Sequence, residues 1–113
     1  MTHKNALPIV ENLLHKFVYW LMDSDETVTG LMTETNSFDW DLSDTKDLKA
    51  WFKGKGLIDF SATLKLCGDP HEEKPFSGSE ISFDVEGAAA TPQSSSEWKI
   101  QSYKIRKAKI TDF

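Results

Sequence analysis

Two aspartates, Asp39 and Asp41, are the residues whose type and spacing best suit proton-transfer chemistry. They lie in the segment NSFDWDLSD, where apolar and polar residues alternate as in a strand with one buried face. A carboxylate facing an apolar cavity would be partly desolvated and could accept a proton from a substrate. The same alternation favours the opposite orientation, because Phe38, Trp40 and Leu42 then take the buried face and both aspartates face solvent. The sequence therefore leaves two alternatives, a catalytic base at Asp39 or Asp41 and a pair of solvated carboxylates.

The other reactive side chains do not form a recognisable site. Cys67 and His71 have acidic residues close by, but their spacing fits no closed zinc pattern, and nothing in the sequence orients the histidine toward the thiol. The chain has no glycine-rich phosphate loop and no nucleophile-elbow sequence. We therefore predict neither a metal site nor a cofactor, and the sequence does not define a reaction.

Aromatic residues are abundant, with four Trp, seven Phe and two Tyr in 113 residues. In a domain of this size most of them must pack in the core, yet concave apolar cavities are also where small ligands bind. The aromatic residues that we expect at a ligand site are Phe17, Trp40, Phe60, Phe83, Trp98 and Tyr103. We therefore predict a small apolar or aromatic molecule as a partner. If the protein's own side chains fill the pocket, the alternative is a structural or interaction domain.

The charge pattern argues against several other partners. A formal net charge of −5 does not suit nucleic-acid binding. Residues 23–47 hold eight acidic residues and one basic residue, and residues 99–109 hold five basic and no acidic residues. The basic segment could bind phosphate, but we favour mutual compensation or solvated edges, because Arg106 is the only arginine.

Targeting features are equally sparse. No apolar run approaches the ~20 residues that a membrane span requires, and the N-terminal segment does not resemble a signal peptide. The single cysteine, Cys67, rules out an internal disulfide. We therefore expect a cytoplasmic protein with no membrane partner.

The elements that would position these residues are helices followed by strands. After a polar leader at residues 1–6, helical spacing predicts a first helix over 9–22 and a shorter second helix through Leu31 and Met32, capped by Asp23 or Ser24. Capping and glycine signals predict a third helix between residues 43 and 56. Alternating residues predict strands over 36–42, 58–66, 81–85 and 96–110, and residues 68–78 and 87–96 have the composition of connecting loops.

The last strand, SEWKIQSYKIRKAKI, is the element around which we expect the fold to be organised. Its alternation changes phase near Ser102 and again before Ala108, which is typical of a bulged, strongly bent strand, here one that curls around the first helix. Helices grouped ahead of a mostly antiparallel sheet indicate an α+β class, with N-terminal helices packed on a strongly curved sheet. The length of 113 residues suits one domain over 1–113.

This order resembles the nuclear-transport-factor-2-like superfamily, the cone-shaped fold shared by SnoaL-like polyketide cyclases and ketosteroid isomerase. The stretches that carry the resemblance are VENLLHKFVYWLMDSDETVTGLM, NSFDWDLSD, DLKAWFKGKG and the closing EWKIQSYKI. The resemblance spans nearly the whole chain. It implies a conical, aromatic-lined pocket between the first helix and the sheet, and a homodimer packed sheet to sheet.

The isomerase chemistry of that superfamily does not carry over. Ketosteroid isomerase uses an aspartate base with a tyrosine and a protonated aspartate as oxyanion hole. In this sequence the helix-borne tyrosine falls at or near Phe17, which has no hydroxyl, and the base falls near Asp39 or Asp41. No acid stands out at an inward position of the late strands. The family usually has four or more strands after the position of Gly56, where this sequence offers three clear ones, so residues 87–96 could conceal another.

Three functional hypotheses follow. The first is a homodimeric SnoaL-like domain that binds a small molecule in an aromatic-lined apolar pocket. The second is an enzyme of lyase or isomerase type with Asp39 or Asp41 as general base. The third is a structural or interaction domain with a filled core.

Overall fold

The computed structural model describes residues 5–35, 37–69, 78–92 and 97–112. Its elements are helices α1 (Ala6–Ser24) and α2 (Glu26–Thr33) and strands β1 (Phe38–Gly54), β2 (Leu57–Asp69), β3 (Ser79–Ala90) and β4 (Lys99–Asp112). The strands form one sheet in the order β1-β2-β3-β4, and every neighbouring pair is antiparallel. The predicted α+β class, with N-terminal helices packed on an antiparallel sheet, is confirmed.

Helix α1 packs on the sheet through one stripe of apolar residues. Val10, Leu14, Val18 and Leu21 recur every three or four positions and are fully buried. The helix contacts both edge strands, β1 and β4, and α2 contacts β4.

Within the part of the chain that the structure describes, no helix is long and apolar enough to cross a membrane.

The junction between the helices is fixed by Asp25. This residue is extended, with φ −81° and ψ 125°, and Oδ1 of its side chain accepts hydrogen bonds from the amides of Thr27 (2.9 Å) and Val28 (3.0 Å). These are two of the N–H groups that a helix start leaves without partners. The predicted cap at Asp23 or Ser24 is therefore wrong by one or two residues, because α1 continues through both of them.

The two central strands supply the inner face of the sheet. In β2 every second residue is buried, and β3 places its own buried residues on the same face. The large apolar side chains of this face are Ile58, Phe60, Leu64, Leu66, Ile81, Phe83 and Val85. The opposite face is polar. There the hydroxyl of Thr63 donates a hydrogen bond of 2.7 Å to Asp84, and Nζ of Lys65 lies 3.6 Å from Oε1 of Glu80. Alternation along the strands thus separates core from solvent.

The two phase changes predicted in the last strand are bulges of β4. The strand carries one extra residue between Ile100 and Ser102 and another between Arg106 and Lys109, where Lys107 has a left-handed φ of 54°. Each extra residue restores the inward orientation of the apolar residues that follow. The apolar residues on either side of the bulges all pack against the core: Trp98, Ile100, Tyr103, Ile105, Ala108 and Ile110.

The predicted third helix is wrong, because residues 43–54 continue β1. The register between β1 and β2 shifts at four places, each with an extra residue on β1, and Asp39 and Asp47 have left-handed φ values of 52°. The less exposed residues of β1 are Trp40, Leu42, Thr45, Leu48, Ala50 and Trp51. Between Trp40 and Ala50 the bulges turn the regular spacing of two residues into a mixture of two and three, and that mixture resembles one face of a helix.

Two predicted connectors also differ from the structure. Residues 68 and 69 extend β2, and residues 87–90 complete β3 instead of forming a loop or a separate strand. A Cβ atom on Gly87 would overlap the carbonyl oxygen of Ser102, so glycine lets β4 approach closely at its first bulge. Residues 70–77, which include His71, and residues 93–96 lie outside the described residues.

Candidate functional site

An open apolar groove lies between α1 and the start of β4. Its lining comes from Leu13, Lys16, Phe17 and Trp20 on the helix and from Trp98, Lys99, Ile100 and Tyr103 on the other wall. The groove has a volume of about 430 Å³. That volume is within the range of small-molecule sites in proteins.

Three of the lining rings form a cluster of fixed geometry. Phe17 and Trp20, one helical turn apart, stack with ring centroids 5.4 Å apart and an interplanar angle of 11°. Tyr103 meets both rings edge-on, at 5.0 Å from Phe17 and 5.8 Å from Trp20. Trp20 nevertheless remains 49% exposed. A preorganised aromatic surface therefore faces solvent along the groove.

Tyr103 is held in place by Asp25. Its hydroxyl donates a hydrogen bond of 2.7 Å to Oδ2 of Asp25, while Oδ1 of the same carboxylate caps α2. Burial, and then the hydrogen bond to Asp25 and its negative charge, raise the pKa of Tyr103 to about 12. The hydroxyl is thus a hydrogen-bond donor at neutral pH, and its role is to position the ring.

Two lysines bring positive charge to the groove. Lys16 is exposed on α1 and Lys99 is exposed on β4, so they stand on opposite walls. Among the described residues that line the groove, none is acidic. No carboxylate in the described ranges forms an ion pair with either lysine.

The structure brings together half of the aromatic residues predicted at a ligand site. Those that line the groove are Phe17, Trp98 and Tyr103. Phe60 and Phe83 are each 1% exposed and lie in the core. The ring of Trp40 packs against Gly68, where it leaves no space for a Cβ atom.

The two predicted catalytic aspartates lie outside the groove. Asp39 and Asp41 are both exposed, and Asp39 occupies a bulge with a left-handed φ. Asp41 accepts a hydrogen bond of 3.3 Å from the hydroxyl of Tyr19. Because this geometry desolvates neither carboxylate, it gives no support to the general-base hypothesis, which stays a prediction.

Sequence reasoning missed most of the helical wall of the groove. Leu13, Phe17 and Trp20 are spaced by four and three residues, so they share one face of α1 and could have been grouped by that spacing. Lys16 and Lys99 carried no comparable signal, since isolated lysines on a helix or an edge strand are usually solvated.

A second depression lies on the outer, polar face of the sheet, with a volume of about 340 Å³. Four of its charged and polar side chains are paired with each other. Nη2 of Arg106 lies 2.9 Å from Oε1 of Glu86, and the hydroxyl of Thr63 donates a hydrogen bond to Asp84. We assign no ligand to this depression.

The chain matches no protein-family model, no curated protein sequence and no solved structure. Its function is therefore argued from the site alone.

Proposed function

We propose that this domain binds a small aromatic molecule in the groove between α1 and β4. The observation that carries the proposal is the half-exposed Trp20, held against Phe17 and Tyr103 in a concave surface. An apolar, preorganised concavity marks a site at which a ligand gains by leaving water.

The rigidity of the groove supports binding over simple surface exposure. The Tyr103 hydroxyl is tied to Asp25, and the ring of Phe17 packs against both Tyr103 and Trp20. Fixed rings lose little conformational freedom when a ligand stacks on them, so more of the contact energy appears as affinity. For a ligand of two or three rings in an open groove, we expect a binding free energy of about −5.5 kcal/mol, which corresponds to a Kd on the order of 100 μM.

Two structural predictions accompany this proposal. Membership of the SnoaL-like cone fold is supported by the helix–sheet order and by the aromatic groove beside α1. It is weakened by segment DLKAWFKGKG, because residues 47–54 of this segment are strand whereas the resemblance implies a helix there. A homodimer packed sheet to sheet would bury the polar face that carries Thr63, Asp84, Lys65 and Glu80, a surface with little of the apolar area typical of homodimers.

The proposal can be tested with N-phenylnaphthylamine, a neutral dye whose emission rises in apolar surroundings. Protein is titrated into a fixed dye concentration. The expected emission rises and saturates with a Kd on the order of 100 μM.

Two variants locate the binding site. Trp20→Ala is expected to weaken binding at least tenfold, because it removes the stacking surface. Trp51→Ala removes a tryptophan that does not line the groove and is the matched control, with a change below twofold. No saturable binding, or equal losses in both variants, would overturn the proposal and favour the structural or interaction domain.

A further inference from the structure

We infer that the groove selects an anionic ligand, a planar aromatic carboxylate or sulfonate whose charge is met by Lys16 and Lys99. This inference rests on the proposed function, since it names the chemical class of ligand for the same groove.

The first argument is that the positive charge of these lysines is uncompensated. Four basic side chains in the described ranges have carboxylate partners: Lys46 with Asp44, Lys53 with Asp59, Lys65 with Glu80 and Arg106 with Glu86. Lys49, Lys55, Lys104, Lys107 and Lys109 have no such partner among the described residues, so the missing partner carries weight only where it coincides with the groove. Lys16 and Lys99 have none among the described residues, in a chain whose formal net charge is −5. An anion bound between them would supply the missing partner.

The second argument is that two lysines from different elements line the same groove. A lysine on an edge strand can be explained as protection against edge-to-edge pairing, and this explanation would suffice for Lys99 alone. It does not apply to Lys16, which lies on α1 and lines the same groove from the other wall. Two lysines from different elements therefore flank one apolar surface. Their stems can cover the ligand's rings while the ammonium groups reach its charge.

The third argument is the local medium. A charge pair beside aromatic rings that exclude water interacts more strongly than the same pair in bulk water. Because the groove is open, solvent still screens the pair, and each lysine is expected to contribute about threefold in affinity. Together the two lysines are expected to contribute about tenfold.

The test uses two dyes with the same aromatic skeleton. Anilinonaphthalene sulfonate carries one negative charge, and N-phenylnaphthylamine is its neutral counterpart. The two differ in hydrophobicity, so the quantity measured is the change in each Kd between the wild type and the double variant Lys16→Gln/Lys99→Gln. The control is Lys104→Gln/Lys109→Gln, which removes the same charge from exposed positions of β4 outside the groove.

We expect the groove variant to weaken binding of the sulfonate about tenfold and binding of the neutral dye less than twofold. The control variant is expected to change either Kd by less than twofold. Raising the salt concentration should weaken sulfonate binding to the wild type and have little effect on the groove variant.

The outcomes separate this inference from the proposed function. If the neutral dye binds at the groove but the groove variant and the control variant change the Kd of the sulfonate equally, the inference is overturned and the proposed function stands. If neither dye binds, both are overturned. Near-ultraviolet circular dichroism of each variant confirms the native fold, because partly folded states bind the sulfonate without a specific site.

Discussion

The hydroxyl of Tyr103 donates a hydrogen bond of 2.7 Å to Oδ2 of Asp25, and this bond joins β4 to the first turn of α2. The other carboxylate oxygen of Asp25 accepts the amides of Thr27 and Val28. One side chain thus begins a helix and fixes a ring of the groove. The stability of the helix junction and the shape of the groove therefore depend on the same carboxylate.

Removing either partner of this bond should lower the free energy of unfolding, and the loss should be larger for Asp25 than for Tyr103. Tyr103→Phe loses one hydrogen bond, and we expect the free energy of unfolding to fall by about 1 kcal/mol. Asp25→Ala also loses the helix cap, so a fall of about 2–3 kcal/mol is expected. Urea unfolding measures both values, with Asp23→Ala as a control for removing a nearby exposed carboxylate. If Asp23→Ala costs as much as Asp25→Ala, the assignment of the cap is wrong.

The raised pKa of Tyr103 predicts how stability depends on alkaline pH. Its value in the folded protein is about 12, against an ordinary 10.0, so the unfolded chain loses this proton first as the pH rises. The contribution of Tyr103 to stability is fully present below about pH 10 and is lost between about pH 10 and about pH 12. The difference in unfolding free energy between the wild type and Tyr103→Phe, measured at stepped pH, should shrink across that window. A difference that stays constant from pH 10 to pH 12 would contradict this prediction.

The different surroundings of Gly87 and Gly30 predict opposite effects for substituting these two glycines by alanine. Gly87→Ala places a methyl group against the backbone of Ser102 and is expected to destabilise the protein by about 1–3 kcal/mol. Gly30→Ala, in α2, meets no atom within 4 Å and should stabilise it by about 0.5–1 kcal/mol through helix propensity. Thermal unfolding of the two variants provides the comparison. A stable Gly87→Ala protein would show that the register at the first bulge of β4 is wrong.

Truncating an aromatic residue of the core should cost more stability than truncating an aromatic residue of the groove. Phe83 is 1% exposed, so Phe83→Ala is expected to lower the unfolding free energy by about 3–5 kcal/mol. Trp20 is 49% exposed, and Trp20→Ala should lower the unfolding free energy by about 1 kcal/mol or less while weakening dye binding at least tenfold. Denaturant unfolding of both variants, with dye titration of Trp20→Ala, distinguishes a binding residue from a packing residue. Equal losses of stability would remove that distinction.

The same kind of sequence signal led to one correct and one incorrect prediction. In β4 the phase changes near Ser102 and Ala108 predict bulges, and the structure has bulges there. In β1 a similar pattern predicts a helix, because Ser43 and Asp44 are good helix caps and Gly54 is a good helix end. The pairing of β1 with β2 over its length overrides these local preferences. Periodicity alone cannot separate a repeatedly bulged strand from a short amphipathic helix.

The candidate site could be predicted only in part, for a related reason. Alternation identifies Phe60, Phe83 and Tyr103 as inward-facing, but it does not say whether a helix covers each of them. That depends on where α1 crosses the sheet, which leaves Phe60 and Phe83 in the core and Tyr103 at the groove. The crossing is set by packing between distant segments, and no local pattern encodes it.

The most direct test of the groove is a nitrogen–proton correlation spectrum of the four tryptophan indoles during titration with N-phenylnaphthylamine. Trp20 and Trp98 line the groove, whereas Trp40 and Trp51 do not. We predict that the indole signals of Trp20 and Trp98 shift progressively with ligand and that the other two stay in place. Shifts confined to Trp40 and Trp51, or no shift at any indole, would contradict the proposed binding site.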